Sequence, residues 1–208
     1  MLQSRLRDSI VHVGQALREP EEFALRWQRD EVQYTWWVWL ALFLTAGIGT
    51  TTYGMTMGIL GGPGQILWCG FSHSMAALIS WVIPLPALYI LNSLSGSRLR
   101  ASTTLLAALV TISWGGLAMI ASIPVNWFFT VAIPDVVTNP NWVRHLIRFV
   151  NFAVFTGVGV AMFDVFGRVM AAIDPSRGRT PTWWLVVVGT IGTELFYAFG
   201  LFDFIVKS

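Results

Sequence analysis

From Tyr34 onward, long apolar runs alternate with short polar segments, and a bilayer's hydrocarbon core demands about 20 consecutive apolar residues of a helix that crosses it. The runs cover about residues 34–60, 65–91, 103–123, 143–173 and 182–206. This pattern predicts an all-α fold, a polytopic transmembrane bundle of about five spans. Ahead of it, Leu2, Leu6, Ile10, Val13 and Leu17 recur at helical steps with Arg5, Arg7 and Asp8 off the stripe. That periodicity predicts an amphipathic helix lying on the membrane surface. Pro20 restarts the helix, and Glu22, Arg26 and Asp30 follow at i+4 spacing on a solvated face. The chain therefore divides into a charged N-terminal helical segment, residues 1–31, and a transmembrane domain, residues 32–208.

Punctuation inside the runs adds detail. The first opens on Trp36, Trp37 and Trp39, at the level of an aromatic belt, and its second half is rich in Gly and Thr. Gly54 and Gly58 form one GxxxG pair, a surface for close helix packing within the chain or for a homo- or hetero-oligomer. Gly61, Gly62, Pro63 and Gly64 make an uncharged turn. Pro84 and Pro86 predict a kink near the end of the second run, and Pro124 another in the third. The apolar piece 125–133 is too short to cross alone; it extends the kinked third span to 133, lies at the interface, or forms a re-entrant element.

Apolar residues make up 55% of the chain and charged ones 12%, half the ~25% of soluble domains. The net charge of +2 supplies neither a nucleic-acid surface nor a polybasic lipid anchor. Twelve of the thirteen basic residues are Arg. The single cysteine, Cys69, cannot form an internal disulfide. The first thirty residues lack the uninterrupted apolar core of a cleavable signal, so the first span is expected to serve as the targeting signal. With five spans and a cytoplasmic N-terminus, ten Arg fall on the inner segments, against Arg144, Arg148 and Lys207 outside. This positive-inside bias predicts a cytoplasmic N-terminus.

The stretch from Ile83 through Pro84, Pro86 and Asn92 to Leu99, the segment from Pro124 to Pro134, and Gly189-Thr190-Ile191-Gly192-Thr193-Glu194-Leu195 together resemble bacterial Yip1-like multi-span proteins. The acidic and apolar segment from Leu17 to Phe23 is similar too. The resemblance implies a five-span integral membrane protein without established enzymatic activity, and by analogy with eukaryotic relatives a role exercised through protein partners. It carries over no catalytic residues.

Several residues invite chemistry. Glu194 falls near the middle of the fifth run, where an ionisable group costs at least ~2.5 kcal/mol; it is either a proton or cation site, or a neutral carboxylic acid hydrogen-bonded to a neighbouring helix. Asp164 and Arg168, four apart, fit a salt bridge at a helix end and, with Glu194, make up a candidate intramembrane polar set. Arg144, His145 and Arg148 suit an anionic lipid head group, a partner's acidic residue, or simple interfacial anchoring. His73, flanked by Ser72 and Ser74, is a hydrogen-bonded packing residue or, less simply, a ligand for haem or a chlorophyll magnesium. Three histidines and one cysteine assemble no zinc or iron–sulfur spacing, and no resident cofactor is expected. Glu21-Glu22-Phe23-Ala24-Leu25-Arg26 matches a Glu-Glu-x-x-x-Arg protease signature but precedes the first span and lacks its histidine partners. Ser113 has no nucleophile elbow, and the Gly61 to Gly64 turn no following Lys-Ser.

The expectation is a non-enzymatic integral membrane protein, a scaffold or subunit of a larger membrane complex, whose partners are the lipid bilayer and other membrane or cytoplasmic proteins. The alternative is a transporter, channel or ABC-permease-associated component, with Glu194 and the Thr-rich half of the first span lining a polar path.

Overall fold

The computed structural model describes residues 2–94, 99–131, 141–175 and 182–200. Among these the chain is all helical. The helices are α1 (Leu2–Arg18), α2 (Pro20–Gln28), α3 (Trp36–Met57), α4 (Pro63–Val82), α5 (Pro84–Leu94), α6 (Ala101–Val131), α7 (Asn141–Ile173) and α8 (Thr182–Ala198), with one 3₁₀ turn at Ile59–Gly61 between α3 and α4. Four segments are long and apolar enough to cross a membrane: Trp36–Met57, Pro63–Ile90, Ala101–Thr130 and His145–Ile173. The fifth, α8, is 17 residues, about 26 Å at 1.5 Å per residue, and residues 201–206 of the expected fifth span lie outside the described part.

The prolines act as their chemistry requires. Pro84 takes the first position of α5, where its missing N–H is no loss, while Ile83 keeps helical dihedrals and bonds back to Ile79. The second span is thus two abutting helices. Pro124 lies inside α6, which runs on unbroken to Val131. Of the alternatives for the piece after Pro124, the described residues take the helical extension; Ala132 and Ile133 fall outside them.

Helix α3 is the spine. It packs against α6 on one side and α4 on the other, and glycine permits both approaches. A Cβ on Gly49 would run into the backbone of Gly116 in α6, and one on Gly54 or Gly58 would lie 2.7 Å from the Cys69 carbonyl oxygen or 2.5 Å from that of Gln65, both in α4. Gly54 and Gly58 are therefore occupied by packing against α4 within the chain. Hydroxyl and amide groups stitch the same contacts: Ser113 donates to the Leu42 carbonyl (2.7 Å), Thr50 and Thr51 meet Ser74 (2.7 and 2.9 Å), Asn126 donates to Thr56 (2.8 Å), and Tyr53 donates to Asn151 (2.9 Å). The threonines of the first span are thus bonded across or along helices.

Polar links also gather one end of the bundle. Asp30, in the left-handed region at φ 57, closes α2 with backbone bonds from Asp30 to Trp27 and from Glu31 to Arg26, a Schellman-type ending. Its carboxylate takes a bidentate pair from Arg100 at 2.7 and 2.8 Å. Thr103 donates to Gln28 (2.7 Å), and Glu21 pairs with Arg168. Residues 20–31, the start of α6 and the C-terminal end of α7 thus share one end. This fits alternate crossing by the four long helices.

The N-terminal helix meets the bundle by only part of its apolar stripe. Ser9 and Ala16 are buried and Val13 packs beside them, whereas Ile10 and Val11 stand 70% and 53% exposed. Small residues let α1 close against α3 and α2, so its packed face follows side-chain size rather than hydropathy. Phe23, Trp27 and Tyr34 stack beneath it, and Tyr34 donates to the Phe23 carbonyl at 3.0 Å.

Candidate functional site

The two walls built on α3 do not close on each other along their length. α4 pairs with α8, and α6 pairs with α7. Between these pairs lies a partly open cavity of about 350 Å³, lined by α4, α6, α7 and α8 with Thr50 of α3. Its walls are mostly glycine, aromatic and methionine residues, among them Gly115, Gly159, Gly189, Trp81, Phe155 and Phe196. Its few hydroxyls are largely spoken for, since Thr50, Ser80 and Thr193 each bond to a backbone carbonyl of their own helix.

His73 stands behind this cavity. It is fully buried, and the group at its ring is the Thr50 backbone, at a geometry short of a regular hydrogen bond. Tyr53, Phe155 and Phe196 surround it at centroid distances of 5.6, 4.8 and 5.3 Å. His73 is thus a packing residue among aromatic rings, with the Thr50 backbone rather than the flanking serines at its nitrogen.

Glu194 lies elsewhere. Gly192 packs on Ser80 and Phe196 on His73, so Glu194 sits at a depth between those two residues of α4. The midpoint of the Pro63–Ile90 span falls between them too. The hydrogen bond to a neighbouring helix is not made: Glu194 is exposed and makes no hydrogen bond among the described residues. The reason is that α8 packs by its Gly192 and Phe196 side, against α4, which turns Glu194 outward. α8 ends at Ala198 just beyond, with Gly200 at φ 62 turning the chain.

Asp164 and Arg168 form the expected i,i+4 pair at 3.0 Å, and Arg168 also takes Glu21 of α2. This cluster sits at the shared polar end, away from Glu194, so the candidate polar set does not come together. Sequence reasoning missed Glu21 because nothing local signals a pairing 147 positions away. At the opposite end of α7, His145 is exposed and Arg148 half-buried, while the side chain of Arg144 lies outside the described residues. Outside the spans, hydrogen bonding from Arg100 holds the Asp30 carboxyl below its ordinary value, and burial pushes the Tyr34 hydroxyl up to about 12. No group of three or more His, Cys, Asp or Glu among the described residues could hold a metal ion. The chain matches no protein family, no curated protein and no solved structure.

Proposed function

We propose that the protein is a non-enzymatic subunit of a larger complex in a bacterial cytoplasmic membrane, with its N-terminus in the cytoplasm, and that α8 is its docking helix. The supporting observation is Glu194. An outward-facing carboxyl near mid-membrane without an internal partner costs at least ~2.5 kcal/mol even when it can protonate or snorkel, and a neighbouring transmembrane helix that supplies a hydrogen-bonding side chain removes that cost. Val186, Thr190, Glu194 and Tyr197 lie along one exposed stripe of α8, with Val186 and Tyr197 at 65% and 74% exposure. The resemblance to Yip1-like proteins points toward a partner-dependent role as well.

The transport alternative draws less support. Its polar path was to run along the Thr-rich half of α3, and those hydroxyls are engaged in packing.

The test is purification from native membranes in mild detergent of the wild-type chain, Glu194→Gln and Glu194→Leu. A discrete partner should co-purify with wild type and with Gln, which keeps the hydrogen bonds, and be lost with Leu. Identical recovery with all three refutes the docking role of Glu194, and a Gln variant that keeps its partner but loses function promotes the transport reading.

A further inference from the structure

The cavity between the α4–α8 and α6–α7 walls has a buried floor and an exposed mouth. Trp81 of α4 with Ile112 and Met119 of α6 form the floor, each only 6–7% exposed. Phe152 and Val160 of α7 and Gly189 and Thr193 of α8 are exposed and frame the mouth. The lining residues of α4, α6 and α7 all belong to segments long and apolar enough to cross a membrane, so this mouth opens sideways into lipid. The lining runs from Phe152 to Met162 on α7 and from Val188 to Phe196 on α8, about 15 and 12 Å at 1.5 Å per residue. A column of that height and about 350 Å³ is about 5 Å across, half the width of a helix at about 10–12 Å. Gly159 of α7 and Gly189 of α8 line it, and a Cβ on either would meet nothing within 4 Å. Glycine weakens a helix interior, and no neighbour in the chain requires it at these two positions; its effect there is to keep the column open.

The walls define the occupant. Among the described residues no charged side chain lines the cavity. Of its four hydroxyls, those of Thr50, Ser80 and Thr193 bond to carbonyls of their own helices, which leaves Thr156, exposed at the mouth. Ordered water needs about two to four polar partners and finds too few here. A charged head group would meet no counter-charge, and a partner helix is too wide. Close-packed interiors do not leave a void of this size empty. We propose that the cleft binds one acyl chain of a bilayer phospholipid, which enters between α7 and α8 while its head group stays at the membrane surface. The chain lies along Gly159 and Gly189 and packs against Trp81, Ile112 and Met119. It uses the Gly189 and Gly192 side of α8, so the site does not rest on the docking stripe through Glu194.

The test uses the full chain in phosphatidylcholine nanodiscs that carry a small fraction of phosphatidylcholine with a photoactivatable diazirine at mid-chain, and maps the adducts by mass spectrometry. A diazirine next to the head group and a free diazirine fatty acid are run separately. Surrounding lipid reaches exposed side chains such as Ile48 and Leu117, whereas only a chain inside the cleft reaches Trp81, Ile112 and Met119. The mid-chain probe should mark both sets, and the head-group probe should leave the three floor residues unmarked. Gly159→Leu and Gly189→Leu fill the column without displacing backbone. Each should cut the floor adducts by at least about tenfold, with the Ile48 and Leu117 adducts and the unfolding midpoint unchanged. If a filled variant does not fold, the wild-type maps from the two probe positions decide. The proposal is overturned by floor residues left unmarked in wild type, by equal floor labelling from the two positions, by equal floor labelling in the filled variants, or by floor labelling from the fatty acid and not from the phospholipid.

Discussion

Gly47 and Gly49 are two residues apart on the same helix, and the structure gives them opposite fates on substitution by alanine. A Cβ on Gly47 meets nothing within 4 Å, whereas one on Gly49 collides with backbone atoms of Gly116 and would stand 2.6 Å from its Cα. Ordinary contact begins near 3.4 Å, so α3 and α6 would have to part by at least about 0.8 Å, and a backbone neighbour cannot swing aside as a side chain can. Overpacking of this kind costs about 1–3 kcal/mol. In both variants alanine returns up to about 1 kcal/mol of helix propensity. Gly47→Ala is therefore expected to be neutral or stabilising by up to about 1 kcal/mol, and Gly49→Ala destabilising by about 1–2 kcal/mol. The propensity gain is common to both, so the gap is the overpacking cost itself, about 1–3 kcal/mol, or roughly 2–12 °C in the unfolding midpoint of a chain this size. Thermal unfolding in mild detergent, followed by tryptophan fluorescence, measures it. Equal midpoints for the two variants would refute the close crossing of α3 and α6 at Gly49 and Gly116.

Three further outcomes are expected. Tyr53→Phe leaves the Asn151 amide oxygen without its 2.9 Å donor and should cost about 1–3 kcal/mol; Tyr53→Phe with Asn151→Leu should cost less than the sum of the single changes, and strict additivity in the same unfolding assay would show the pair uncoupled. Arg100 holds the Asp30 carboxyl below its ordinary value of 3.8, so the pair's contribution is complete above that value and is lost as pH falls through the depressed one; hydrogen exchange across residues 20–31 should rise at low pH beyond the intrinsic rate change, and Asp30→Asn should raise it already at neutral pH. On a Cys69→Ala background, cysteines at Glu31 and Asp174 should label from one side of the membrane and a cysteine at Leu60 from the other, while labelling of all three from one side would break the alternate crossing.

Hydropathy located the four long spans because lipid imposes one length and one polarity on every crossing helix. The missing N–H of Pro84 likewise marks the start of α5, whereas Pro124 sits inside α6 without ending it. The stripe on α1 does not say which side meets the bundle; here Ser9 and Ala16 admit close approach, and Ile10 and Val11 are turned out. Glu194 was visible as an anomaly, but its direction depends on which side of α8 meets α4, and a single helix does not encode that. The histidine illustrates the same limit. Flanking serines suggested hydrogen bonds for His73, yet what surrounds it comes from Tyr53, Phe155 and Phe196 on three other helices. The ion pairs of Asp30 with Arg100 and Glu21 with Arg168 join residues 70 and 147 positions apart, and charge alone gives no reason to match these rather than others.

The docking of α8 is tested most directly by a photo-crosslinking residue at Tyr197, one turn from Glu194 on its exposed stripe, activated in native membranes. The account predicts a discrete adduct with a second protein, kept in Glu194→Gln and lost in Glu194→Leu. Lipid adducts alone, the same in all three backgrounds, would contradict it.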